Sequence, residues 1–151
     1  MPRAKTIGAS PIFRDMQSKM ISHGEKNDCS VKAVAVVTGV GYEVARHKLE
    51  ELGRQKGKDV FQGLIHEAVR QLGKKLTRVN VESIIAQYPT AHRNALKNVT
   101  THHPERFNSV WKDGKTYIAH CSGHCLAIVD GENHDWTKGR AKRIIALYQV
   151  D

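Results

Sequence analysis

The sequence predicts an α+β domain, a helical half followed by an antiparallel sheet. Three observations carry this reading. Apolar residues recur at helical spacing between Val31 and Tyr88, the texture turns to short β-rich segments after Lys115, and Asp130-Gly131 stands between two of those segments as a hairpin turn. Helices first and strands second argues against a doubly wound parallel sheet, which needs the two to alternate. A chain of 151 residues is long enough for one core without staples, so a single domain is expected over residues 12–151, behind a basic, proline-broken arm at residues 1–11.

The elements follow in order. The first begins near Ile12. After Cys29, the residues Val31, Val34, Ala35 and Thr38 suit one helical face ending at Gly39, although their β-branched content would also suit a strand. "GYEVARHKLEELG" sets Ala45, Leu49 and Leu52 at helical spacing and stops at Gly53. "FQGLIHEAVRQLG" sets Phe61, Leu64, Ile65, Ala68, Val69 and Leu72 on one face before Gly73. Asn80 then caps a third such run, Val81, Ile84, Ile85 and Tyr88, which Pro89 closes. Residues 90–111 are polar, hold His92, His102 and His103, and predict a short helix mixed with loop. The strands are expected in "TYIAHC", "HCLAIVDGENHDW" and "RIIALYQV".

Composition narrows the function. The longest apolar run, Ala33 to Val37, is far too short for a membrane span or a signal-peptide core, so a cytoplasmic protein with no membrane partner is expected. Three cysteines, Cys29, Cys121 and Cys125, form no disulfide framework and predict reduced thiols. With 24 Lys and Arg against 15 Asp and Glu, the net charge is +9. That balance favours an acidic partner, nucleic acid among them, but no recognition motif accompanies the charge, and a solvated basic surface is the preferred explanation.

The chemistry centres on Cys29. A thiol at a helix N-terminus is acidified by unpaired N–H groups and the helix dipole, which stabilise the thiolate. Cys29 therefore reads either as a buried residue opening a core helix or as a nucleophile at a helix mouth. A nucleophile needs a base, and the base an orienting group. His124, after Gly123 at the head of an apolar strand, is the candidate base. The hairpin through Asp130-Gly131 returns the chain so that Asp135 can accept the second imidazole N–H.

The order of Cys at a helix start, Gly-His at the head of a strand and Asp just beyond resembles the papain-like cysteine peptidases. "NDCSVKAVAVVTGVGYEVARHKLEELGR" and "GHCLAIVDGENHDW" resemble more specifically the small papain-like proteins of bacteriophages and bacteria, over about residues 25–55 and 114–150. The resemblance implies a Cys29-His124-Asp135 triad, a protein or peptide substrate from host or phage, and no cofactor. It also implies that Trp136 shields the third triad member from water. In papain the side-chain donor of the oxyanion hole is a glutamine six positions before the cysteine. His23 stands there in this chain, and Asn27 is the preferred substitute, with His23 second.

Two further outcomes stay open. The same scaffold can serve as an inactive binding protein, or the same triad can transfer an acyl group to an amine. "HCSGHC" also invites a zinc site from His120, Cys121, His124 and Cys125. Treated as one strand, however, it sends the histidines to one face and the cysteines to the other, and no metal is expected.

Overall fold

The computed structural model describes residues 9–80, 83, 113–138 and 143–151. The helix expected after Asn80, the segment 90–111 and most of the arm lie outside the described residues. Ala9 and Ser10, at the end of that arm, are buried against the fold.

Among the described residues four helices precede all five strands of an antiparallel sheet, the α+β order expected. Helix α1 (Pro11–Ser22) opens with proline, whose missing N–H costs nothing in the first turn, and Ser10 caps it by accepting the Phe13 N–H at 3.2 Å. Helix α2 (Cys29–Thr38) is buried on almost every side, which is why its sequence is small and apolar rather than amphipathic. Gly39, at φ 74°, ends it in the left-handed conformation that a side chain resists. Helix α3 (Tyr42–Glu51) buries Tyr42, Ala45 and Leu49, and helix α4 (Gln62–Gln71) buries Ile65, Ala68 and Val69. Phe61 departs from expectation. It is the N-cap of α4 and 71% exposed, because the helix starts one residue after it and its ring falls outside the periodic stripe.

Strands β1 (Leu76–Val79), β2 (Thr116–Cys121), β3 (His124–Val129), β4 (Glu132–Asn133) and β5 (Ala146–Val150) form one sheet in the order β1-β5-β2-β3-β4. The hairpin between β3 and β4 has Asp130 at φ 46° and Gly131 at φ 80°, the two left-handed residues that a tight hairpin turn demands. Strand β1 was not expected; four residues on a sheet edge give too short an alternation to read. Ile118, Cys125, Ala127 and Val150 join Val31, Val34 and the other helices in one core, while Ala119, Leu126 and Leu147 on the opposite face are also buried. A sheet covered on both faces explains the continuous apolar run in β3.

The register corrects one expectation. Ser122 and Gly123 form a turn between two strands, and pairing sets His120 opposite Cys125 and Cys121 opposite His124. The two histidines therefore lie on different faces, because the chain reverses between them. Among the described residues, no helix is long and apolar enough to cross a membrane.

Candidate active site

Cys29 is the first residue of α2, where its N–H has no acceptor within the helix and the helix dipole favours negative charge. The preceding Asp28 is buried, but its carboxylate does not cap the helix. It accepts the Tyr42 hydroxyl at 2.7 Å and pairs with Lys32 at 2.9 Å, which fixes the turn that delivers Cys29 to the surface of the core.

A second network fixes the loop before that turn. Glu25 receives Arg54 at 2.8 and 3.2 Å, Arg46 at 2.9 Å and the Gly57 N–H at 2.8 Å. Burial acts to raise the Glu25 pKa, but the two guanidinium groups and the N–H outweigh it and hold it at about 2. Asn27, in the left-handed region at φ 49°, anchors the same loop through its amide, which donates to the Gly57 carbonyl at 3.0 Å.

From the other side of the cleft, β3 brings His124. Its Nε2 lies 2.7 Å from Asp135 Oδ2, and its ring lines the same cleft as Cys29. The carboxylate takes Nε2, so the nitrogen left for Cys29 is Nδ1. Asp135 stands in the turn just past the short β4 rather than on a strand. Its Oδ2 also accepts the Thr137 N–H at 3.1 Å and the Thr137 hydroxyl at 2.7 Å, and Asn133 donates to that hydroxyl at 3.2 Å. Trp136 packs beside the imidazole with ring centroids 5.4 Å apart.

Cys125, the next residue on β3, points to the helix side, with its Sγ 3.8 Å from Cys29 Sγ. Its S–H bond to Cys29 is the largest influence on that thiol. With the His124 interactions it outweighs the opposing effect of burial and lowers Cys29 from 9.0 to about 5. Cys125 itself is driven up by the same contact and by burial, so it remains a thiol. For His124, burial pushes the pKa down, but Asp135 and Cys29 outweigh it and raise the imidazole to about 9. Between those values the pair rests as thiolate and imidazolium, the activated state of a thiol nucleophile.

The cleft around this pair has two lobes. One is apolar, walled by Val60, Phe61, Ile65 and Ile145. The other is polar, with Gln17, Lys26, Asn27, Asp59 and Trp136 around Cys29 and His124. Asn27 thus lines the cleft, whereas His23 stacks on Tyr42, with ring centroids 5.9 Å apart, and faces Glu43.

Sequence reasoning brought Cys29, His124, Asp135 and Trp136 together and missed three contributors. Gln17, on α1, has its amide oxygen held by Lys32 at 2.7 Å, which turns the NH₂ group the other way. Nothing in its local sequence marks it. Thr137 carried a signal, since a hydroxyl residue two positions after Asp commonly bonds back to it. Cys125 emerges only from the strand register. Behind the apolar lobe, His66 and His120 share one hydrogen bond, Nε2 to Nε2 at 2.9 Å, and burial lowers both, His120 to about 4. Among the described residues, no three His, Cys, Asp or Glu side chains converge to hold a metal ion.

No protein-family model, curated protein or solved structure matches this chain.

Proposed function

We propose that the protein is a papain-like thiol hydrolase that cleaves an amide or isopeptide bond. The observation that supports it most directly is the cluster itself: Cys29 at the first position of a helix, in an open cleft it shares with His124, whose Nε2 lies 2.7 Å from Asp135, surroundings that favour a Cys29 pKa of about 5 and a His124 pKa of about 9.

Cys29 Sγ attacks the carbonyl carbon. The oxyanion is held by the Cys29 N–H and by the Gln17 amide, which lines the cleft with its oxygen already engaged by Lys32. Asn27, whose amide donates to Gly57, keeps its anchoring role. The His124 imidazolium protonates the leaving amine, then as a neutral base takes a proton from the water that releases the acyl group. Asp135 orients the ring and compensates its charge. The apolar lobe suits a substrate with an aliphatic or aromatic side chain near the scissile bond.

The test is the pH dependence of iodoacetamide labelling at each cysteine in wild type and His124→Ala, followed by cleavage of labelled casein with Cys29→Ala as control. The reading expects Cys29 to label fastest, to stay reactive well below the usual thiol pKa of about 8.5, and to lose that in the variant. Equal labelling of all three thiols sinks it. An intact pair with no cleavage points to a binding protein on the same scaffold.

A further inference from the structure

We propose that Cys29 and Cys125 form a reversible oxidation site, in which a hydroperoxide converts the two thiols to an internal disulfide that closes the cleft's nucleophile. The two sulfur atoms already touch at 3.8 Å, so a bond needs side-chain adjustment rather than refolding of either element. They differ in the way such a pair requires. Cys29 lines the open cleft and is reachable by a small oxidant, whereas Cys125 is buried and cannot be oxidised first.

The chemistry balances with the hydroperoxide as the only added reactant. The Cys29 thiolate attacks the terminal peroxide oxygen, gaining that oxygen as sulfenic acid and releasing alkoxide, which takes a proton from the His124 imidazolium and leaves as alcohol. Cys125 sulfur then attacks the Cys29 sulfur. The S–O bond breaks, and the departing hydroxide leaves as water with the Cys125 proton. Two thiols have lost two electrons to one peroxide. Cys121 has no part in this, since the register puts it opposite His124, on the other face from Cys125.

The nearby thiol also protects. A solitary sulfenic acid in an open cleft proceeds to sulfinic acid, which is irreversible by ordinary thiols, whereas capture as a disulfide returns on reduction. The loss of hydrolysis on oxidation rests on the function proposed above; the bond itself does not.

The experiment treats the full chain with a small excess of hydrogen peroxide, blocks free thiols and maps peptides without reduction. The expected result is a cross-link joining the Cys29 and Cys125 peptides, loss of Cys29 labelling, and full return of both thiols with dithiothreitol. In Cys125→Ala the same treatment should leave Cys29 irreversibly oxidised. Sulfinic acid on Cys29 with Cys125 still free in the wild type, or a cross-link to Cys121, overturns the proposal. Because the readout is mass and not turnover, wild type alone decides if the variant folds poorly. Cys29 that labels at low pH but never cross-links defeats only this inference, while a cross-link without cleavage of any substrate defeats only the hydrolase reading.

Discussion

His124 Nε2 and Asp135 Oδ2 stand 2.7 Å apart, and the same oxygen accepts both the N–H and the hydroxyl of Thr137. One carboxylate oxygen therefore sets the imidazole plane while its own position is set from behind. The ring is left a single nitrogen to offer Cys29, and the distance between two residues of one short hairpin contributes, beside the larger effect of the Cys125 S–H bond, to the protonation of a thiol on a helix.

Asp135→Ala should lower the His124 pKa and let Cys29 rise part of the way toward an ordinary thiol, since the Cys125 S–H bond, the larger acidifying contact, stays in place. Iodoacetamide labelling of Cys29 at pH 6 should fall by about 10-fold as the thiolate fraction drops. Asp135→Asn keeps an acceptor without charge and should fall between. In the wild type, hydrolysis should describe a bell. It is lost below about 5 as the thiolate takes a proton, and lost above about 9 as His124 gives up the proton the leaving amine needs.

Thr137→Val preserves shape and removes the hydroxyl that binds Asp135 and receives Asn133. Unfolding in urea should show a loss of about 1–3 kcal/mol, since buried polar partners are orphaned. The pH profile of Cys29 labelling should move in the same direction as in Asp135→Ala, but less.

Gln17→Ala separates binding of the oxyanion from activation of the thiol. Alkylation forms no oxyanion, so labelling of Cys29 should be unchanged. Turnover of a cleavable substrate should drop by about 10²–10³-fold, the usual cost of one oxyanion donor. Unchanged turnover would return that role to Asn27.

Glu25→Gln attacks the platform under the site. The Glu25 and Arg54 side chains are both 0% exposed, and the amide leaves a buried guanidinium without its counter-charge. A loss of about 3–5 kcal/mol at pH 7 is expected by denaturant titration. The folded pKa, about 2, lies below the ordinary 4.5, so the carboxylate's contribution is complete above pH 4.5 and disappears as pH falls through 2. The difference between wild type and variant should shrink across that window.

What the sequence made legible follows from how local each cause is. Helices α3 and α4 carry their own period and their own glycine stops at Gly53 and Gly73, and the left-handed pair Asp130-Gly131 announces a hairpin without outside help. Cys29 and His124 were found because their chemistry marks them. The sulfur contact of Cys125 depends on a two-residue turn that reverses the facing of every later side chain, and the error over His120 and His124 came from reading through that turn. Gln17 reaches the cleft only because Lys32, itself paired with Asp28, holds its amide, a chain of contacts that no spacing encodes.

Strand β5 follows every other described element in chain order, yet it lies between β1 and β2 in the sheet. The partners on either side must wait for it, so the sheet closes through distant contacts and folding is expected to be slow for a chain of this size. Cys29 and His124 come from opposite halves of that assembly. Until it closes, the thiol has neither its helix seated nor its imidazole near, and it carries the reactivity of any free cysteine. Acid-pH alkylation of Cys29 is thus a clock: in a refolding experiment, the moment it rises above that of Cys121 marks the joining of the two halves.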